Sequence, residues 1–241
     1  MEATLRLPAD APLAGTIGTV IISGGASGLG AAIADAAIAR GGRPIVFDVR
    51  APGADVEHRI VDIADRPAVE RAVAEIAERF GGIDAVVANA GTDSCGPFGS
   101  VPAVEWERVI GVNLLGTAAL VRAALPHLER VRGKVVTVAS TLGIKAVGDA
   151  TAYCASKFGV VGFTRALAVE LKERVGVTLL VPGGMHTAFF DGRTEQYKPP
   201  ADAKLNQPSD VANAVLFALM QPQGCEIREM VIAHSAESSW P

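Results

Sequence analysis

The chain has 241 residues, of which 49% are hydrophobic and 20% charged, the make-up of a globular protein rather than a disordered or fibrous one. At about 150 residues per domain, that length allows one large domain or two small ones. Twenty-two basic residues against 26 acidic ones leave a net charge of −4, which argues against nucleic acid or an anionic membrane surface as the main partner.

The opening residues, Met1 to Arg6, lack the charged-then-apolar pattern of a secretion signal. No apolar run approaches the ~18 residues of a membrane span. From Thr19 onward, short β-branched runs alternate with stretches of helical period. Thr19 to Ser23 reads as a strand, Ala31 to Arg40 as an Ala-rich helix, and Pro44 to Asp48 as a second strand. Arg59 to Val61 gives a short third strand, and Pro67 opens a helix that runs to Phe80. Ala85 to Ala88 is a fourth strand. A long helix follows from about Val112 to Arg130, with Pro126 as a kink or stop near its end. Lys134 to Val138, Val177 to Leu180 and Met230 to Ile232 complete the strands, interleaved with helices at Thr151 to Arg174 and Ser209 to Met220.

These strands are continuously apolar, as in a parallel sheet covered on both faces. The expectation is an α/β fold with a single doubly wound parallel sheet, a Rossmann fold, occupying one domain over residues 1–241. Cys95, Cys154 and Cys225 form no close pair. They fit neither a disulfide framework nor a zinc site and suggest a reducing, cytoplasmic compartment, with no metal expected.

The first strand runs into Ser23-Gly24-Gly25-Ala26-Ser27-Gly28-Leu29-Gly30 and then a helix. Glycines there allow a sharp turn and a close backbone approach to an anion, and the helix N-terminus adds partial positive charge. A pyrophosphate suits that position; a tight turn with no ligand is the plainer alternative. Asp48, ending the second strand, can accept from both adenine-ribose hydroxyls and repel a 2′-phosphate, which favours NAD over NADP. Arg50 stands two residues on and weakens that preference. Asp62 is placed to meet the adenine or, equally, to serve as a turn or helix-cap residue.

Ligands of doubly wound sheets gather at the carboxyl ends of the strands. Asn89-Ala90-Gly91, Ser140 and Pro182-Gly183 all stand at such ends. Tyr153 and Lys157, at i and i+4, share one helix face. A phenol is a weak base at neutral pH, and a neighbouring ammonium or a cationic nicotinamide lowers its pKa. The chain has only two tyrosines, and Tyr197 sits in a loop beside Lys198-Pro199-Pro200.

The set Ser23 to Gly30, Asn89-Ala90-Gly91, Asn113, Ser140, Tyr153, Lys157, Pro182-Gly183 and Thr187 resembles the short-chain dehydrogenase/reductase family in order and spacing, over about Gly18 to Ile232. The resemblance implies that Tyr153 is the general acid/base, that Lys157 binds the nicotinamide ribose and depresses the Tyr153 pKa, and that Ser140 orients the substrate oxygen. Asn113 would hold a water of the proton relay. Gly24, Ser27, Gly28, Leu29, Gly30, Asp48, Asp62, Ile63, Asn89, Ala90, Gly91, Tyr153, Lys157, Pro182, Gly183 and Thr187 would bind NAD. The chain departs from the family pattern at Ser23, where Thr is usual, and at Ala88, where a first Asn is usual.

Ser94 to Phe98, Leu142 to Val147 and Gly184 to Phe190 are expected to form the substrate pocket, with Met185, Phe189 and Phe190 as a lid. His186 and Lys145 are candidate polar members or simply solvated loop residues. The implied activity is hydride transfer between NAD(H) and a small secondary alcohol or ketone. An epimerase or dehydratase on the same scaffold is less favoured, because only a short stretch separates Gly183 from Pro208. A non-catalytic NAD-sensing regulator would not need both Tyr153 and Lys157. The apolar helices from Val112 and Thr151 suggest a homodimer or homotetramer, and Trp240 near the end suggests a docking tail.

Overall fold

Strands that are apolar on both sides need cover on both sides. The computed structural model, which describes residues 17–53 and 55–237, supplies it. The parallel strands are β1 (Thr19–Ser23), β2 (Arg43–Asp48), β3 (His58–Ile60), β4 (Ala85–Ala88), β5 (Lys134–Val138), β6 (Gly176–Pro182) and β7 (Glu229–Ile232). They form a seven-stranded sheet in the order β3-β2-β1-β4-β5-β6-β7.

Side chains alternate along each strand and so build two cores. Ile21, Ile45, Val86 and Val135 pack against α2 (Arg66–Phe80), α4 (Thr117–Val131) and α5 (Thr151–Glu170). Val20, Ile22, Val46, Val87 and Val136 pack against α1 (Gly28–Ile38) and α6 (Pro208–Leu219). This is the doubly wound α/β fold. The strand order reverses between β1 and β4, and the crevice at that switch point is where such a sheet takes its ligand.

Local chemistry sets the helix ends. The Asp65 carboxylate accepts from the Ala68 N–H at 3.0 Å to start α2, Pro67 occupies the first turn, and Gly81 stops the helix at φ 79°. The helix expected from Val112 begins earlier. An additional helix, α3 (Ala103–Ile110), leads through a π-helical turn at Gly111–Gly116 directly into α4. The chain passes through Gly111 in helical conformation. Pro126 lies inside α4 without ending it. By length and composition, Ala103–Val131 is apolar enough to cross a membrane. However, Leu120, Val121, Ala124 and Leu128 are buried against the sheet, which is the arrangement of a core helix. Helix α5 stops at Glu170, short of the expected Arg174, because Leu171 leaves helical geometry and Glu173 turns left-handed at φ 66°. Met1 to Arg6 and Trp240 lie outside the described residues.

The junction of β1 and β4 positions the cleft. The Ser23 hydroxyl accepts from the backbone N–H groups of Asn89 (3.0 Å) and Ala90 (3.1 Å). Asn89 returns its side-chain amide to the Ser23 and Gly24 carbonyls at 2.9 and 3.1 Å. Ala88 supplies no such bond, so Ser23 and Asn89 carry the junction between them. Replacing Ser23 by Ala strands two backbone donors, and Ser23→Ala is expected to lower stability by about 2 kcal/mol. Urea unfolding checks this, with Ser23→Thr, which keeps the hydroxyl, close to wild type.

Candidate active site

The glycine turn brings backbone, not side chains, to the rim. Gly24 sits at φ 66°, and a Cβ there would come within 2.8 Å of the Ala90 backbone. Gly28 takes φ 55°, a conformation unfavourable for other residues. Gly30 is different: a side chain on it would strike the Gly24 carbonyl, so it serves the packing of α1 on the turn and does not line the cleft. The first N–H groups of α1 lack side-chain caps, since Ser27 stands at the N-cap without bonding them. Such a turn leaves its donors for an anionic group.

Beyond the turn, Asp48 closes β2 with its carboxylate held by the N–H groups of Ala26 (3.0 Å) and Arg50 (3.1 Å). Each oxygen thus takes one bond and keeps a lone pair for a further donor. The Arg50 guanidinium reaches the Ser27 hydroxyl at 3.5 Å. Asp62 is exposed and caps its own turn by accepting from Ala64 N–H at 2.9 Å, while Ile63 beside it is buried. Both line the same cleft as Asp48, Asn89, Ala90 and Gly91.

This cleft has a volume of about 850 Å³ and runs from the β2 end to the β6 end, room for a long ligand and a small one together. Ser140, Tyr153, Lys157, Pro182, Gly183 and Thr187 lie along it. Ser140 leaves β5 and opens the short turn Thr141–Gly143, its hydroxyl oxygen accepting from Leu142 N–H at 3.1 Å. That oxygen also meets Tyr153 through a side-chain hydrogen bond. Burial pushes the Tyr153 phenol up to about 12, and the Ser140 bond works against that rise. Lys157 is buried one turn further along α5, with its ammonium 5.7 Å from the Tyr153 ring centroid and donating to the Val138 carbonyl at 2.8 Å. Burial pushes it down to about 8.

Asn113 stands apart from the cleft lining. Its amide donates to the Thr92 carbonyl and the Ser156 hydroxyl, each at 2.9 Å, and its oxygen accepts from Thr92 N–H at 2.8 Å. Its backbone carbonyl accepts from the Thr117 hydroxyl at 2.8 Å. The side chain is therefore fully engaged in fixing the loop after β4.

The substrate end differs from the expectation. Leu142, Gly184, Met185, Phe189 and Phe190 line it, but Ser94 to Phe98 and Ile144 to Val147 do not, and His186 faces a separate outer recess. Ser94 to Phe98 instead turns back on the β5–α5 loop, where Gly96 N–H meets the Asp149 carbonyl at 2.8 Å. Arg193 and Tyr197, unmarked by any sequence motif, do line the cleft. Tyr197 donates to Asp149 at 2.9 Å. Their places follow from the path of the loop after β6, which no local pattern encodes. Glu237, near the C-terminus, returns to accept from Gly184 N–H at 2.9 Å.

Comparison with known proteins agrees with this geometry. A family model described as short chain dehydrogenase matches residues 18–198, and the chain belongs to that family of oxidoreductases, which use nicotinamide cofactors. A (2S)-[(R)-hydroxy(phenyl)methyl]succinyl-CoA dehydrogenase subunit from Thauera aromatica is 33% identical over 82% of this chain and 87% of that protein. L-fucose dehydrogenase from Mus musculus is 29% identical over 90% and 88%. Among solved structures, the ligand-free aldohexose dehydrogenase of Thermoplasma acidophilum superposes with a TM-score of 0.82 at 25% identity, covering 91% of this chain and 93% of that one.

The buried ammonium has a measurable consequence. A lysine whose folded pKa falls from 10.5 to about 8 carries its full protonation cost below pH 8, and sheds it as the pH rises toward 10.5. Lys157→Met is therefore expected to stabilise the cofactor-free protein by about 1–3 kcal/mol at pH 7. Urea titrations at pH 7 and 10 should show that advantage shrinking at the higher pH.

Proposed function

We propose that this chain transfers hydride between NAD(H) and the secondary carbon of a small alcohol or ketone, with Tyr153 as general acid/base. The observation that carries the reading is the contact of Tyr153 with Ser140 beside the buried Lys157, at one end of a cleft whose other end is a glycine cradle. When bound, the nicotinamide supplies or accepts the hydride. The protein residues handle the oxygen and its proton. The Ser140 oxygen accepts from Leu142 N–H, and its single hydroxyl hydrogen, which meets Tyr153, turns to a substrate oxygen when one is bound. In reduction, the neutral Tyr153 phenol donates its proton to the forming alkoxide. In oxidation the phenolate is required, and the Lys157 charge favours it once the cleft is filled and water is excluded. Lys157 uses one N–H on Val138 and keeps two for hydroxyls in the cleft.

Asp48 supports NAD rather than NADP, because a 2′-phosphate would meet its carboxylate. A panel of secondary alcohols and ketones, followed at the NADH absorbance, tests the whole reading. Turnover should favour NAD, Tyr153→Phe should lower kcat by about 10²–10⁴, and Asp48→Ala should move preference toward NADP. Activity unchanged in Tyr153→Phe would refute the mechanism, and wild-type preference for NADP would refute the cofactor assignment.

The same reading includes self-association. Leu115, Phe158 and Val169 are large apolar side chains left exposed on the π turn and α5, and a second copy of the chain is the partner proposed to cover them. Light scattering at micromolar concentration should give a multiple of the 24.8 kDa chain mass, and a monomer would exclude it.

A further inference from the structure

The loop after β6 places a charged group where an apolar wall would suffice. Phe189 lies 5.8 Å from the Tyr153 ring and 5.6 Å from Phe190. The Arg193 guanidinium is stacked on both phenylalanines, at 5.3 and 4.7 Å from the ring centroids. Behind it, Asp93 is almost fully buried and accepts from Nη2 at 2.5 Å, while Nη1 donates to the Tyr197 carbonyl at 3.2 Å.

Two of the five guanidinium N–H groups are thus used. The Nε–H is shut away from water and has no acceptor among the described residues. Asp93 does not reach it: Oδ2 accepts from Nη2 and from the Cys95 thiol at 3.1 Å, and Oδ1 from Ser94 N–H at 2.8 Å. The planar fork is therefore oriented and held, yet left without a planar acceptor. Around it the lining is Leu142, Met185, Phe189 and Phe190, with Lys198 and Lys204 further along the same lining. Glu237 is the acid that lines this end, and its carboxylate already accepts from Gly184 N–H. Lys198 is paired with Glu195 and Arg193 with Asp93, so the taking of an anion here rests on the unfilled guanidinium donors rather than on net charge.

We infer that Arg193 is the anchor for a substrate carboxylate, so that the substrates are hydroxy or oxo acids whose acid group is set off from the reacting carbon by a short apolar spacer. This deepens the oxidoreductase reading above and rests on it. A carboxylate matches the planar guanidinium and its unfilled donors in shape and charge, as a lone hydroxyl does not. One aromatic ring, Phe189, separates the anchor from Tyr153, and the spacer would lie along that ring.

The test compares straight-chain oxo acids of four to six carbons with their primary amides, each followed with NADH. Wild type should favour the acids in kcat/KM by about tenfold or more. In Arg193→Met the acid-to-amide ratio should collapse, mainly through KM, and in Arg193→Lys, which keeps the charge but not the fork, it should recover in part. Butanoate should compete with the oxo acids in wild type, and butanamide should not; this comparison needs no variant. Amides turned over as well as acids, or a ratio unmoved in Arg193→Met, would overturn the anchor while leaving the oxidoreductase reading intact. Absence of turnover of every acid, amide, alcohol and neutral ketone, with NADH and NADPH alike, would overturn both.

Discussion

An ammonium group held out of water is the constraint around which the catalytic end is arranged. A buried charge is costly unless it is paired, and among the described residues Lys157 donates to the Val138 carbonyl and faces the Tyr153 ring, with no carboxylate paired to it. The surrounding structure holds it there by close backbone packing. Gly143 brings the turn after β5 so near α5 that a Cβ would come within 2.8 Å of the Lys157 carbonyl oxygen. That approach is what lets Ser140, at the start of the turn, meet Tyr153, inside the helix. On another face of α5, Gly159 admits Leu114 and the Ser156 hydroxyl receives the Asn113 amide. Helix α5 is thus fixed from both sides, and its tyrosine is presented in one place.

The two ends of the cleft are built by different means. At the cofactor end the recognition surface is mostly main chain, shaped by Gly24 and Gly28 and locked by the Ser23–Asn89 exchange across β1 and β4. Gly116 belongs to the same logic, since a side chain there would collide with Ile63, which lines the cleft. The π turn carrying Gly116 allows the long helix to change its hydrogen-bond register at that close approach. A main-chain surface accommodates an invariant ligand well. At the substrate end the surface is side chains from one loop, which is the means by which one scaffold serves many substrates.

That contrast explains what could be read from the sequence. Strand period, glycine spacing and the Tyr153–Lys157 interval are local; they locate the sheet and most of the cleft lining between Gly24 and Thr187, but not its boundaries, since Gly30, Asn113 and Ser94 to Phe98 lie outside it. The relay role of Asn113 is what the resemblance implies; the partners that fix its side chain, Thr92 and Ser156, are distant in sequence and leave no local pattern. Helix α3 is absent from the expected elements, although the chain runs from it through Gly111 without leaving helical geometry. Arg193 and Tyr197 were not legible because their partners, Asp93 and Asp149, lie on other loops. Pairings across loops leave no period in a single chain.

Those same two pairs determine how the substrate end is held. Arg193–Asp93 ties the loop after β6 to the loop after β4, and Tyr197–Asp149 ties it to the loop before α5. Thr187, on the same loop, overhangs Gly28, with 3.2 Å between its methyl group and the position of a Gly28 Cβ. The loop contributes no fully buried side chain from Gly183 to Gln207, so little apolar area opposes its displacement. Polar contacts close it, and breaking them exposes groups that water solvates well. A cover held in this way can lift without disturbing the two cores beneath the sheet, which keep Tyr153, Ser140 and the glycine cradle in register while it moves.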